Sequence, residues 1–177
     1  MSRLKVAVSA DDHVQGDDQA LVTLLEYGDY ECPHCGYAYP IVKRVQEHFG
    51  RKLRFVFRNF PLRNMHPNAE AAAEAAEFAG AHGRFWEMHD AIFENQPTLS
   101  LPMLLEVASA LELDPEGLNR AFTTGEFRSR VQTDFQGGVR SGVNGTPTFF
   151  IDGERHDGSF EFEDLIAALE SKLAESS

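Results

Sequence analysis

The fold and the chemistry of this 177-residue chain are decided by residues 24–35, which read Leu24-Leu25-Glu26-Tyr27-Gly28-Asp29-Tyr30-Glu31-Cys32-Pro33-His34-Cys35. The chain has no other cysteine, so both thiols lie in one C-x-x-C unit. A near-continuous apolar run over residues 21–25 predicts a strand that is buried on both faces. Pro33 suits the first position of a helix, so a helix is expected directly after Cys32. A dithiol at such a junction is able to close a small disulfide ring and to open it again.

The residues that follow the dithiol predict a β-α-β unit. Apolar side chains recur at helical spacing as far as Phe49, and Gly50 is expected to end the helix. Residues 53–57 then have the apolar character of a second strand. Because the links are short, the two strands are expected to pair in parallel through a right-handed crossover.

The rest of the chain predicts a long helical region followed by a pair of strands. The pattern is helical from about residue 67 to residue 142, and Gly137-Gly138 is expected to interrupt its last helix. Residues 148–151 predict a strand, Asp152-Gly153 a hairpin turn, and a return strand and a final helix follow. The polar segment over residues 11–19 is expected to be a leading loop. Together, the predicted strands and helices indicate an α/β core that is divided by a helical insertion.

Composition excludes several classes of partner and leaves the dithiol as the chemical centre. The formal net charge is -12 and the sequence pI is about 4.9, which argues against nucleic acid and anionic membrane as partners. No segment approaches the roughly 20 apolar residues that a membrane span needs. The first twelve residues contain no apolar export signal, so a cytoplasmic location is expected, unless a signal has been removed.

The two sulfurs are expected to be unequal. Cys32 lies at a helix N-terminus, where unpaired N–H groups and the helix dipole favour the thiolate, whereas Cys35 lies about one turn inside. Cys32 is therefore expected to exchange with the substrate and Cys35 to resolve the mixed disulfide. A protonated His34 would add a donor and a positive charge. The carboxylates of Asp29 and Glu31 act in the opposite direction, because nearby negative charge raises the pKa of a thiol.

Each of these residues also has a simpler interpretation. The C-x-x-C unit is one half of a zinc site in some proteins, although the chain has no H-x₃₋₅-H pair to complete it. His34 is alternatively a solvated loop histidine. Glu26 is either an ordinary carboxylate at a strand end or a buried proton acceptor for Cys35. We expect redox chemistry with no metal and no cofactor beyond the dithiol.

The chain resembles the DsbA-like branch of the thioredoxin superfamily. The motifs that carry this resemblance are residues 24–35, with Pro-His between the cysteines, and Gly145-Thr146-Pro147-Thr148-Phe149-Phe150-Ile151. It extends from about Val14 to Leu169. The resemblance implies an α/β fold of the thioredoxin-like type with a helical insertion domain. We place the core in residues 1–66 and 143–177 and the insertion in residues 67–142.

The resemblance also implies the roles of individual residues. Pro147 is expected to follow a cis peptide bond beside the dithiol, and Thr146 to present backbone groups to an extended substrate. Glu26 matches the buried acid of the family. The predicted catalytic residues are Cys32, Cys35, His34, Pro33 and Glu26, and the predicted substrate-binding residues are Thr146 and Pro147.

The predicted function is disulfide exchange with protein or peptide substrates that contain thiols or disulfides, together with a redox partner that recycles the dithiol. The Pro33-His34 pair is typical of oxidases, whereas Thr146 is more typical of reductase and isomerase relatives. A disulfide reductase or isomerase is therefore an open alternative. A metal-binding or redox-inert interaction module is a third.

Overall fold

The computed structural model describes residues 2–176. Its strands are β1 (His13–Gly16), β2 (Val22–Gly28), β3 (Leu53–Asn59), β4 (Thr148–Ile151) and β5 (Glu154–His156). Its helices are α1 (Pro33–Phe49), α2 (Ala69–Ala81), α3 (Phe85–Glu94), α4 (Leu101–Ala110), α5 (Pro115–Thr124), α6 (Arg128–Arg140) and α7 (Phe162–Ser176). Helices α2 to α6 lie between β3 and β4, where the sequence predicts the insertion. The insertion boundaries at residues 67 and 142 stay a prediction.

The strands form a mixed sheet in the order β1-β3-β2-β4-β5. Strands β2 and β3 are parallel, with Leu24 opposite Phe55, and α1 connects them, so the predicted β-α-β unit is confirmed. Strand β4 is antiparallel to β2 and places Thr148 opposite Tyr27. The residues just before β4 therefore lie beside the carboxyl end of β2, where the dithiol follows.

Helix α1 begins at the predicted residue. Cys32 is its N-cap residue, with extended backbone angles (φ -69°, ψ 124°), and Pro33 is its first helical residue. Gly50 ends the helix with a φ of 54°, a left-handed conformation that glycine adopts without steric cost. The buried face of α1 consists of Cys35, Ala38, Ile41, Val42, Val45 and Phe49. Burial of this face anchors the helix, and with it the dithiol, against the core.

Helix α6 corrects one prediction from the sequence. Gly137 and Gly138 do not interrupt it, because the helix continues to Arg140. A Cβ at Gly138 would lie 2.7 Å from the Phe60 ring and 3.0 Å from that of Tyr27. The glycines thus allow α6 to approach the aromatic side chains of the core closely.

Strand β1 corrects a second prediction, since part of the expected leading loop is a strand. Residues 13–16 pair antiparallel with β3 at the edge of the sheet, with Val14 opposite Val56. The indole Nε1 of Trp86 donates to the backbone oxygen of Val14 at 3.2 Å. An edge strand is half solvated, so its polar sequence does not carry the apolar signal of a central strand. None of the helices within residues 2–176 is both long and apolar enough to cross a membrane.

Candidate active site

The structure places both thiols, in their reduced form, at the start of α1. Cys35 is fully buried, whereas 4% of Cys32 is exposed. The backbone N–H of Asp29 donates to Cys35 Sγ at 3.4 Å. The carbonyl of Cys32 accepts the N–H of Gly36 at 3.0 Å, the first hydrogen bond of the helix. Cys32 is thus the less buried of the two cysteines.

The surroundings of Cys32 favour its thiolate. A hydrogen bond from the Cys35 thiol is the largest cause, and together with the Thr146 side chain and the backbone N–H groups of Cys35 and His34 it lowers the pKa of Cys32 to about 5. Burial acts in the opposite direction and is outweighed. At neutral pH Cys32 is therefore ionised, which is the nucleophilic state of a thiol.

Cys35 has the opposite preference. Burial is the largest cause that raises its pKa well above the ordinary value, and the hydrogen bond with Cys32 and the charge of Glu26 add to this. The two sulfurs therefore differ in both exposure and protonation. The structure gives them the unequal environments that a stepwise disulfide exchange requires.

Glu26 lies near the end of β2 with 3% of its surface exposed. Among residues 2–176 its Oε2 has no hydrogen-bond partner. Burial, and secondly the charge of Cys32, raise the pKa of Glu26 to about 8. A Cβ at Gly28 would lie 2.7 Å from Oε2, so the glycine leaves room for this carboxyl group. Glu26 therefore carries a proton at neutral pH.

The loop before β4 forms the other side of the dithiol. The Thr146–Pro147 peptide bond is cis. The Thr146 carbonyl oxygen lies 3.6 Å from Cys32 Sγ. The Thr148 hydroxyl donates to the carbonyl of Gly145 at 2.8 Å and closes the loop. The structure thus brings Thr146 to the thiol from a position 114 residues away in the chain.

Pro33 and His34 are both exposed on the first turn of α1. The backbone N–H of His34 contributes to the low pKa of Cys32. The contribution predicted for its protonated ring stays a prediction. The structure therefore supports a backbone role for His34 and gives Pro33 its place as the first helical residue.

The carboxylates of Asp29 and Glu31 do not raise the pKa of Cys32 above its ordinary value, contrary to the tendency expected from the sequence. The Asp29 carboxylate accepts the backbone N–H groups of Glu31 and Leu62 and is bonded to His66 Nδ1 at 2.8 Å. Glu31 accepts two hydrogen bonds from Asn68. Both carboxylates hold the chain in place. Within the described residues no group of three histidine, cysteine, aspartate or glutamate side chains is arranged to hold a metal ion.

Sequence reasoning missed the residues that hold residues 29–32, the active-site loop, in position. Gln96 donates to the carbonyls of Tyr30 and Cys32 at 2.9 and 2.8 Å. Asn68 binds Glu31 and also donates to the carbonyl of Leu99. No local motif marks Gln96, because its partners lie more than 60 residues away.

Comparison with known proteins gives the family of this fold. The thioredoxin family model matches residues 9–171. BdbD from Bacillus subtilis, in its oxidised form, superposes with a TM-score of 0.83 at 26% identity, over 91% of this chain and 92% of that one. The α-DsbA1 protein of Wolbachia pipientis has a TM-score of 0.84 at 18% identity, over 96% and 94%. The predicted thioredoxin-like fold with a helical insertion is confirmed.

A curated relative in Salinispora arenicola, named as an Na(+)/H(+) antiporter NhaA 1, is 45% identical over 172 residues. The match covers 97% of this chain and 26% of that protein, so the chain spans about a quarter of the length of this relative.

The predicted cytoplasmic location is wrong. A periplasmic thioredoxin-like protein from Salmonella enterica serovar Typhimurium has the same fold, with a TM-score of 0.74 at 19% identity over 92% of this chain and 90% of that one. The prediction rested on the first twelve residues, and the absence of an export signal there is no evidence of the compartment in which a domain works.

Proposed function

The chain belongs to the thioredoxin family and has the fold of its DsbA-like disulfide oxidoreductases, and from this premise we propose that it exchanges disulfides with protein or peptide substrates. Cys32 is the exchanging sulfur and Cys35 the resolving one. The observation that carries the proposal is the inequality of the thiols: Cys32 has a pKa of about 5 and is the less buried of the two, whereas Cys35 is fully buried and its pKa is raised.

The reaction begins with the oxidised dithiol. A substrate thiolate attacks Cys32 Sγ, the Cys32–Cys35 bond breaks, and Cys35 leaves with the electron pair. A second substrate thiolate then attacks the substrate sulfur of the mixed disulfide and releases Cys32 as a thiolate. The substrate loses two electrons and gains a disulfide, and the dithiol gains those electrons. A redox partner then oxidises the dithiol again.

Glu26 supplies the proton that the first step requires. Cys35 leaves as a thiolate in a buried site that disfavours its charge. The nearby Glu26 carboxyl group, protonated at neutral pH, is able to donate to it. In the reverse direction the carboxylate accepts the proton as Cys35 becomes a nucleophile. Proton transfer of this kind gives a function to a buried carboxyl group whose Oε2 has no hydrogen-bond partner among residues 2–176.

The loop before β4 binds the substrate chain. Backbone groups on either side of a reactive thiol suit an extended polypeptide, because an extended chain presents its own N–H and C=O groups for pairing. Thr146 lies beside Cys32 and is placed to align a substrate cysteine with Sγ. Because the loop recognises the backbone of the substrate and not its side chains, substrates of many different sequences are able to bind.

The low pKa of Cys32 supports the oxidising direction. A stabilised thiolate favours the reduced dithiol, and a dithiol that is stable in its reduced form is a strong oxidant. The disulfide of this protein is therefore expected to pass readily to a substrate. An isomerase or reductase would require a lower reduction potential.

Oxidative refolding tests the proposal. Oxidised protein is expected to accelerate disulfide formation in a reduced, unfolded substrate protein, and Cys32→Ser is expected to abolish the acceleration. Mixed with a substrate that already contains a disulfide, Cys35→Ser is expected to accumulate the mixed disulfide on Cys32, since the resolving thiol is absent. A matched unfolding curve confirms that each variant is folded. Acceleration by folded Cys32→Ser protein would contradict the assignment.

We propose, as a second candidate, that the dithiol works together with a sodium–proton antiporter module. The supporting observation is the 45% identity over 97% of the chain with a protein named as such an antiporter. In membrane vesicles that hold the Salinispora protein, sodium–proton exchange is expected to change when the dithiol is reduced. Replacement by serine of the two residues of that protein that align with Cys32 and Cys35 is the control. Equal transport in the oxidised and reduced forms would exclude this role.

A further inference from the structure

The active-site loop, residues 29–32, is bonded at each of its four positions to the chain that follows β3. From residue 29 to residue 32, the side chains that provide these bonds are those of His66, His89, Asn68 and Gln96 in turn. Three of these bonds end on side chains of the loop. Gln96 differs, because it binds backbone carbonyls and so fixes the path of the chain into α1.

Gln96 lies on a single turn of 3₁₀ helix, Gln96–Thr98, between α3 and α4. Its Nε2 uses both hydrogens, one on the carbonyl of Tyr30 at 2.9 Å and one on that of Cys32 at 2.8 Å. The Cys32 carbonyl is also the acceptor of the first hydrogen bond of α1. One half-buried amide thus binds the backbone on both sides of Glu31, just before the helix N-terminus.

Gly36, in α1, leaves the space that the Gln96 side chain occupies. A Cβ at position 36 would overlap Gln96 Oε1, so only glycine lets the amide reach the two carbonyls. A glycine within the second turn of a helix lowers helix stability by about 1 kcal/mol relative to alanine. The contact with Gln96 is the structural reason for glycine at this position.

We propose that Gln96 is a positioning residue for the dithiol: it fixes the carbonyls of Tyr30 and Cys32 and so holds the first N–H groups of α1 against the sulfur of Cys32. The inference rests on the proposed disulfide exchange and assigns to the helical insertion a part in setting its direction. Gln96 Nε2 donates to backbone carbonyls, so the side chain acts through the geometry of the helix start.

The direction of the effect follows from which groups stabilise the thiolate. The backbone N–H groups of His34 and Cys35 favour ionised Cys32. When the carbonyl of Cys32 is released, its sulfur is held less closely to those donors and the thiolate is less stable. The reduced dithiol loses stability relative to the disulfide, so the protein becomes a weaker oxidant.

Thiolate absorbance against pH and equilibration in glutathione buffers test the proposal on the intact chain. Gln96→Ala is expected to raise the pKa of Cys32 by about one unit and to shift the dithiol equilibrium about tenfold towards the disulfide, which is about 30 mV. Asn95→Ala is the matched control, because it removes a neighbouring side-chain amide that, within residues 2–176, donates only to the carbonyl of Ala91. This control variant is expected to change neither the pKa of Cys32 nor the dithiol–disulfide equilibrium.

Gly36→Ala separates positioning from loss of structure. It is expected to displace Gln96 and weaken the oxidant as Gln96→Ala does, although alanine favours the helix and the unfolding free energy is expected not to fall. In the Gln96→Ala background, Gly36→Ala is expected to add little, since the contact is already lost.

An unchanged pKa and potential in folded Gln96→Ala protein, or full additivity of the two substitutions, would overturn the inference and leave the disulfide exchange standing. If the wild-type chain itself shows no low-pKa thiolate and no exchange, the proposed function fails first. The wild-type measurement therefore distinguishes the two failures.

Discussion

The end of strand β2 and the active-site loop that follows it each hold one buried carboxyl group, on Glu26 and on Asp29. Asp29 accepts hydrogen bonds from two backbone N–H groups and is bonded to His66. Glu26 has an Oε2 without a partner among the described residues and a pKa of about 8. Burial is similar in the two places, so the difference lies in the donors that each region provides.

The contrast between Asp29 and Glu26 distinguishes a carboxyl group that supports the structure of the site from one that takes part in its chemistry. A buried carboxyl group that receives several hydrogen bonds cross-links the parts of the chain that donate them. A buried carboxyl group without donors keeps its proton instead, and it is then able to give that proton to a neighbour. The loop around Asp29 is therefore a fixed support, and the strand end at Glu26 is the part that changes state during the reaction.

Loss of the Asp29 side chain is expected to have the largest effect on stability. Asp29→Ala leaves the N–H groups of Glu31 and Leu62 without their acceptor and removes the partner of His66. We expect the free energy of unfolding in urea to fall by about 4 kcal/mol. Asp18→Ala, at an exposed position, is the control and is expected to change it by less than about 0.5 kcal/mol. A small effect at Asp29 would show that its hydrogen bonds are not a support.

Replacement of Glu26 is expected to have the opposite sign and to depend on pH. Below about pH 4.5 the carboxyl group is protonated in both the folded and the unfolded state. Between about pH 4.5 and 8 the unfolded chain loses this proton and the folded chain keeps it, so the wild-type unfolding free energy falls as pH rises. Glu26→Gln removes this loss and is expected to be more stable than the reduced wild type by about 3 kcal/mol at pH 7.

The measurement is the difference in unfolding free energy between Glu26→Gln and the wild type, both reduced, at several pH values. Taking the difference cancels the titration of Cys32, which is common to both proteins. The difference is expected to be near zero at pH 4 and to grow towards pH 8. A difference that is constant over this range would show that Glu26 is ionised when the protein is folded, and the contrast with Asp29 would disappear.

A third substitution, at Glu31, tests hydrogen bonds of the same loop that are expected to contribute less to stability than those of Asp29. Glu31 accepts the N–H and the side-chain amide of Asn68, but it is only half-buried. Glu31→Ala is therefore expected to lower the unfolding free energy by about 1 kcal/mol, well below the effect at Asp29. Asn68→Ala removes the amide side of this contact, and the double variant is expected to lose less than the sum of the two. Additive losses would show that the two residues act independently.

The sequence predicts the parts of this site that a local pattern encodes. The dithiol, the helix that follows Cys32 and the strand that follows Pro147 are each specified within a few residues. The motif shared with the family also predicts that Thr146 lies at the site. The spacing of residues along the chain does not by itself show that the loop before β4 lies beside Cys32. The β-α-β unit follows from apolar periodicity, since a strand with both faces buried is apolar at nearly every position.

The parts that were missed depend on contacts between distant residues. Strand β1 pairs at the edge of the sheet, where a polar sequence is tolerated. Gly137 and Gly138 have the local signal of a helix break, and only the side chains packed against α6, those of Val6, Tyr27 and Phe60, explain their presence within the helix. The different surroundings of Glu26 and Asp29 likewise depend on hydrogen-bonding groups from residues 62–66. No pattern within residues 24–35 predicts which of the two carboxyl groups these residues bind.

The smallest expected effect concerns the influence of Glu26 on Cys32. The two groups are close enough for the charge of Cys32 to raise the pKa of Glu26, and such coupling is reciprocal. Cys32 titrates near pH 5, however, where Glu26 is still protonated and carries no charge. Glu26→Gln is therefore expected to shift the pKa of Cys32 by less than about 0.5 unit, as measured by thiolate absorbance. A fall of a full unit or more would mean that Glu26 is ionised at pH 5, and Glu26 would then not be the carboxyl group that holds a proton for the reaction.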